Sequence, residues 1–287
     1  GIKARLGDGA EVIYSPGYAS PAVKEQDVLG AEEPDKMEID ADALRNDAVK
    51  WAKDADVVFF VGGLNKNDGQ DCEGNDRSSL SLPYEQDQLI AELAKANPNT
   101  VVVIISGNAV AMPWVKQVAA IVEAWYSGTE AGNALASILF GDVNPSGKLP
   151  FTFPVKLEDN GAHALGEHPG DSINVKYNES IFVGYRWADK QKKTKPLFAF
   201  GHGLSYTTFA YGKATATKKS LTADETITFT VPVKNTGSRE GSEVVQLYIG
   251  DKKSALPRPI KELKGFSKVK LAPGEEKMVS FTIDKTD

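Results

Sequence analysis

The hydrophobic period of the chain changes once, and that change restricts the fold more than any other feature. In the first half, apolar residues come in short continuous runs set between helical stretches. The runs are Asp56-Val57-Val58-Phe59-Phe60-Val61-Gly62-Gly63, Thr100–Ile105 and Ala119–Trp125. Continuous runs of this length read as strands buried on both faces, as in parallel sheets. Between them, helical spacing predicts a helix over Ala41–Lys53 capped by Asp40, and one opening at Pro83 and running to about Ala96. A short helix over Met112–Val118 and one over Glu130–Phe140 follow, and Glu11–Tyr14 is a further candidate strand. Strand–helix alternation of this kind predicts a mostly parallel-sheet α/β sandwich. After Phe209 the period becomes two: Thr226–Val233, Glu243–Ile249 and Met278–Ile283 alternate between turn residues, which predicts an all-β sandwich. The intervening 155–207 stretch keeps no period. The expected organisation is an α/β domain over 1–160, an extended linker over 161–207 and a β-sandwich over 208–287. A seven-stranded sandwich needs about 100 residues, so the last domain is expected to be cut short. The chain, which opens on Gly1 rather than Met, is expected to begin inside a longer one.

The formal net charge of −6 gives no support to a nucleic-acid partner, which calls for a basic face. No apolar run approaches the length that a membrane-spanning helix needs. Cys72 is the lone cysteine, so no intrachain disulfide or thiolate cluster forms, and His163, His168 and His202 show no metal-ligand spacing. No metal and no cofactor are expected.

In an open parallel sheet, sites form beyond the carboxyl ends of the strands. Two polar loops arrive there: Asp71-Cys72-Glu73-Gly74-Asn75-Asp76-Arg77 and Ser106-Gly107-Asn108. In the first, Gly74 permits close backbone approach, and Asp76 and Arg77 can pin the loop while Glu73 presents its carboxylate. By composition alone the same charges also read as a solvated surface loop. Gly62-Gly63 is a weak phosphate-binding signal without a complete glycine motif. No nucleophile elbow is present, and Cys72 without a histidine partner reads as a small loop residue. Trp114, Trp125, Tyr126 and Trp187 are candidate sugar-stacking platforms. Core packing is the better reading for Trp125, and for Trp114 and Trp187 the two readings stand level.

Several segments together resemble the C-terminal half of glycoside hydrolase family 3, the β-glucosidase and β-xylosidase group. They are Glu73-Gly74-Asn75-Asp76-Arg77 with Leu80, Leu82 and Pro83; 140–150, which ends Asn144-Pro145-Ser146-Gly147-Lys148-Leu149-Pro150; 181–187; and Phe198–Thr207, with Phe200-Gly201-His202-Gly203-Leu204-Ser205-Tyr206. Pro257-Arg258-Pro259 and Lys261–Phe266 also fit. The resemblance implies a TIM-like barrel, an α/β sandwich and a fibronectin type III-like domain, of which this sequence carries the last two. It implies a retaining, exo-acting β-glycosidase on β-linked glucosides or oligosaccharides. The general acid/base would be Glu73, with Asp76 and Arg77 as loop supports or substrate contacts. The nucleophilic Asp would lie on a barrel domain or chain that this sequence does not contain. Retaining glycosidases need two carboxyl groups about 5 Å apart, one of them held protonated by desolvation or a neighbouring negative charge. A non-catalytic carbohydrate-binding or scaffolding module is the alternative. A nucleotide-binding regulatory domain is a third reading that draws only on the α/β pattern.

Overall fold

A computed structural model of the chain describes residues 1–20, 40–171, 173–191, 194–222 and 224–287. It divides into two compact units, Gly1–Ala136 and Ser137–Asp287.

The first unit opens with a short helix α1 (Ile2–Leu6) and a 3-10 turn (Gly7–Gly9), followed later by α2 (Ala41–Ala52), whose cap Asp40 accepts the Ala43 amide at 2.9 Å. Then come β1 (Val58–Gly63), α3 (Gln86–Ala96), β2 (Thr100–Ile105), β3 (Ala120–Glu123) and α4 (Ala131–Leu139). The three strands lie in the order β1-β2-β3, all parallel, with Gly63 opposite Ile105 and Glu123 opposite Ile104. On β2, Val102, Val103 and Ile104 are fully buried although successive side chains point to opposite faces, so both faces of that strand are covered. The apolar run was therefore a sound sign of a central parallel strand. Helix α3 packs on β1 and β2 with Leu89, Ile90, Leu93 and Ala94 buried. Asn97 ends it by donating its amide to Ala52 O and Ala55 O.

Three expectations fail locally here. Glu11–Tyr14 forms no strand: it finds no partner strand among the described residues, and Tyr14 stays 86% exposed. Met112–Val118 forms turns rather than a helix, with Val115 N bonded to Met112 O and Gln117 N to Trp114 O, three residues apart in each case. Helix α3 starts at Gln86 and not at Pro83, because Tyr84 (φ 58°) and Glu85 (φ 56°) take left-handed conformations between them. The Tyr84 hydroxyl accepts from Gln70 Nε2 at 2.6 Å and from Asn67 Nδ2 at 3.3 Å, and this ties the turn to the loop after β1.

In the second unit, after the end of α4, the described residues before 207 form a 3-10 turn (Leu157–Asp159), α5 (Gly161–Ala164) and α6 (Tyr185–Lys190). The sandwich follows: β4 (Phe209–Tyr211), β5 (Thr215–Ala216), β6 (Ile227–Asn235), β7 (Gly241–Ile249), β8 (Glu262–Leu271) and β9 (Glu276–Ile283). Strand β6 is antiparallel to β4 and β5 along one edge and to β9 along the other, while β7 pairs with β8. One buried residue from each long strand meets in the core: Val233, Val245, Leu271 and Val279. Alternation in β6 and β9 therefore reports one wet and one packed face, as an antiparallel sandwich requires. The chain is thus an α/β unit with a parallel sheet followed by a β-sandwich.

Candidate active site

The three parallel strands end together, and the loops that leave them carry the polar side chains of the first unit. From β1 the backbone enters the loop through Leu64, whose amide bonds Ile105 O at 2.8 Å. Gly63 has φ 140°, and a Cβ there would stand 2.1 Å from Ile105 O. Only glycine fits at that approach of β1 to β2. The fully buried amide of Gln86 accepts Gly63 N at 2.7 Å and donates to Gly63 O and Pro83 O at 2.9 Å each. The glycine pair therefore serves strand packing, and it makes no phosphate cradle.

The loop is fastened at both sides of its tip. On one side Gln70 accepts Asn65 N at 3.0 Å, and the Asp71 carboxylate takes three donors: Gly107 N at 2.5 Å, Tyr126 Oη at 2.8 Å and Asn108 Nδ2 at 3.3 Å. On the other side Arg77 Nη1 donates to Ala109 O at 2.9 Å, and Leu80 O accepts Ala111 N at 2.8 Å. Burial pulls the Arg77 guanidinium below its ordinary value, against the opposing pull of Asp71 and Tyr126. Partial burial and the Asp71 carboxylate both hold the Tyr126 phenol well above its usual range.

Between these anchors lies the tip, Cys72 to Asp76. The Cys72 thiol donates to Asn75 O at 3.7 Å across a tight turn, and Gly74 takes φ 90°. Glu73 is exposed, with no hydrogen-bond or ion-pair partner among the described residues; Asp76 is exposed and Arg77 half-buried. So the structure brings Arg77 and Asp71 onto one short segment, 107–109, and leaves the Glu73 carboxylate outside that network.

Sequence reasoning missed Glu123. It ends β3, accepts the Trp125 amide at 3.4 Å and contacts Ser106 Oγ at 3.3 Å, while its Oε2 is buried without a partner. Burial raises its carboxyl to about 7. The geometry agrees, because Ser106 Oγ already donates its one proton to Asn108 O at 2.8 Å. A protonated Glu123 can donate to that oxygen; an ionised one cannot. A carboxylate inside an apolar strand run was the available signal.

The aromatic candidates separate. Trp114 is 1% exposed with its indole N–H on Asp87 Oδ1 at 2.8 Å, and Trp187 is 7% exposed with its N–H on Asp159 O at 3.0 Å. Both are core residues. Trp125 is half-buried at φ 54°, and the Tyr126 ring stands open to solvent. Among the described residues no group of three or more His, Cys, Asp or Glu is placed to hold a metal ion, and no helix is long and apolar enough to cross a membrane.

Residues 1–206 match the glycosyl hydrolase family 3 C-terminal domain, and residues 243–287 match a fibronectin type III-like domain. The chain is 54% identical over 287 residues to beta-glucosidase BoGH3A of Bacteroides ovatus, covering 99% of this chain and 37% of that protein. It is 45% identical to thermostable beta-glucosidase B of Acetivibrio thermocellus, covering 99% of this chain and 35% of the relative. Among solved structures, a GH3 beta-glucosidase of Bifidobacterium adolescentis superposes with a TM-score of 0.83 at 36% identity, over 99% of this chain and 39% of that one. A Kluyveromyces marxianus beta-glucosidase in complex with glucose gives 0.77 at 43%, over 87% and 29%. The chain spans little more than a third of the curated relatives it matches. With its parallel-sheet unit, its sandwich and these matches taken together, the chain belongs to glycoside hydrolase family 3, of which it forms the C-terminal portion.

Proposed function

We propose that this chain supplies the general acid/base of a retaining, exo-acting β-glucosidase, and that Glu73 is that residue. The observation that carries the reading is the state of Glu73: an exposed carboxylate, without a partner among the described residues, at the tip of a loop fastened on both sides, beyond the carboxyl ends of parallel strands. Arg77 serves as a loop support through Ala109 O, and Asp76 flanks the tip. In the first step Glu73 gives its proton to the leaving glycosidic oxygen while an Asp carboxylate attacks the anomeric carbon. That Asp belongs to a barrel domain or chain outside this sequence. In the second step the Glu73 carboxylate takes a proton from water, which attacks the glycosyl ester and releases glucose with retained configuration. The substrates are β-linked glucosides or oligosaccharides.

The alternative, a non-catalytic carbohydrate-binding or scaffolding module, loses two of its candidate stacking platforms, since Trp114 and Trp187 are each buried with the indole N–H bonded inside. The test uses the full-length protein. Replacing Glu73 by Gln should lower kcat/KM on an alkyl β-glucoside by about 100-fold or more, the range for removing a general acid, and spare kcat/KM on a dinitrophenyl glucoside, whose leaving group needs no proton, while kcat on the latter falls because the second step has lost its base. With Glu73→Ala, added azide should yield β-glucosyl azide. Alkyl glucoside turnover by Glu73→Gln at the unmodified rate sinks the assignment.

A further inference from the structure

Asp71 is absent from the acid/base assignment, yet its carboxylate takes three hydrogen bonds at the strand ends. It sits in the loop after β1. Two of its donors, Gly107 N and Asn108 Nδ2, belong to the segment after β2, and the third, Tyr126 Oη, follows β3. One carboxylate thus joins the loops leaving all three parallel strands. It also stands two residues before Glu73, on the side of the tip opposite Arg77, and the Arg77 anchor lands on Ala109 of the same segment. Gly107 suits this arrangement, because a Cβ there would press to 3.3 Å from the Tyr126 ring and 3.4 Å from Asp71 Oδ2.

We propose that Asp71 is the positioning residue for Glu73: its carboxylate, held by Gly107 N, Asn108 Nδ2 and Tyr126 Oη, sets where the loop tip carries the acid. The proposal rests on the reading of Glu73 as general acid/base. Hydrogen bonds to an ionised acceptor are the strong and directional ones. Within the tip the Cys72 thiol bonds Asn75 O and Gly74 takes a left-handed conformation, while Glu73 itself is exposed. An acid must reach the glycosidic oxygen within hydrogen-bond distance, and a displacement of about 1 Å can cost on the order of 100-fold in rate. Loss of the Asp71 carboxylate leaves that side of the tip tied only as far as Gln70 and the Asp71 amide, both bonded to Asn65, and releases it from the segments after β2 and β3, so the tip gains freedom between Asp71 and Arg77.

The experiment compares Asp71→Ala, Asp71→Asn and Tyr126→Phe in the full-length protein, with Glu73→Gln as reference. The alkyl glucoside kcat should fall about 30- to 100-fold for Asp71→Ala, less for Asp71→Asn, which keeps one acceptor oxygen, and least for Tyr126→Phe. For the dinitrophenyl glucoside kcat/KM should change less than about threefold, because formation of the glycosyl ester from that leaving group needs no proton. Asp71→Asn combined with Glu73→Gln should be no slower than Glu73→Gln alone, since a positioning residue has nothing left to position. Amide exchange of residues 72–76 in the full-length protein should speed up about tenfold in Asp71→Ala. Equal loss of kcat/KM on both glucosides, multiplying losses in the double variant, or unchanged exchange at 72–76 each overturn the proposal. The two readings fail separately. If Glu73→Gln is defective while Asp71→Ala and Asp71→Asn behave as the unmodified protein, only the role of Asp71 falls. If Glu73→Gln is unimpaired on the alkyl glucoside, both fall together. Should Asp71→Ala fail to fold, Asp71→Asn and Tyr126→Phe carry the same comparison.

Discussion

Asn235 in the sandwich and Glu123 in the parallel sheet are both polar side chains drawn out of water at the end of a strand, and they are treated in opposite ways. Asn235 is fully buried and uses its whole amide: Oδ1 accepts Thr207 Oγ1 at 2.7 Å and Gly237 N at 3.1 Å, and Nδ2 donates to Arg239 O at 2.7 Å and Leu271 O at 3.0 Å. Glu123 has long contacts through Oε1 and none through a buried Oε2. A fully satisfied buried amide fixes a structure and has no capacity left over. A half-satisfied carboxyl keeps a proton that it can exchange. The first arrangement closes the sandwich around its turn at 236–240; the second sits among the loops that present Glu73.

The largest expected effect tests the first half of that contrast. Asn235→Ala strands the Thr207 hydroxyl, the Gly237 amide and two carbonyls, and leaving buried groups unpaired costs about 1–3 kcal/mol each. Partial access of water to this turn brings the expected loss to about 4 kcal/mol, read as a lower urea midpoint with unchanged slope in the full-length protein. A loss under about 1 kcal/mol would mean the amide network is ornamental, and the contrast with Glu123 would disappear.

How much of this was legible in the sequence depends on the range over which each feature is decided. The strands β1, β2, β6, β7 and β9 were readable because apolar runs and alternation are local consequences of burial on two faces or one. The family resemblance singled out the Glu73 loop, whose tip is also local, being set by Cys72, Gly74 and Asn75. Strand β8 was not named as a strand because its lysines and Gly265 dilute the alternation, although pairing with β7 fixes it. Glu11–Tyr14 alternates weakly but has no strand to pair with among the described residues. The role of Asp71 depends on three loops converging, and no spacing along the chain encodes that. Gly62-Gly63 pointed towards phosphate only because the neighbouring strand and Gln86, the real reasons for glycine, are distant in sequence. Trp114 and Trp187 could not be separated from stacking platforms until their N–H partners were known.

The next effect tests the second half of the contrast. Burial raises the Glu123 carboxyl from an ordinary 4.5 to about 7. Between those values the folded protein holds a proton that the unfolded chain has released. The stability tied to this group is therefore complete below about pH 4.5 and lost as pH rises through about 7. At about 1.4 kcal/mol per unit the swing is at most about 3.5 kcal/mol. Glu123→Gln keeps an acceptor oxygen for Trp125 N and carries no titrating proton. Its stability should change less between pH 5 and pH 8 than that of the unmodified protein, by up to that amount, in urea unfolding of the full-length protein. Parallel pH profiles for the two proteins would show that Glu123 is as settled as Asn235.

The smallest effect supplies the baseline that both larger ones must exceed. On the face of β6 and β9 away from the core, Thr230 Oγ1 and Ser280 Oγ lie 2.8 Å apart, as do Thr228 Oγ1 and Thr282 Oγ1 one pair along. These hydroxyls are polar, paired and in a strand like Asn235, but water can replace either partner. Cross-strand pairs of this kind contribute about 0.2–1 kcal/mol. Thr230→Ala should cost about 0.5 kcal/mol, and the cycle with Ser280→Ala should show a coupling no larger than that. If Thr230→Ala instead approached the cost of Asn235→Ala, pairing as such would be the stabilising feature and burial would add nothing to it. The distinction between a satisfied buried amide and an unsatisfied buried carboxyl would then lose its physical basis.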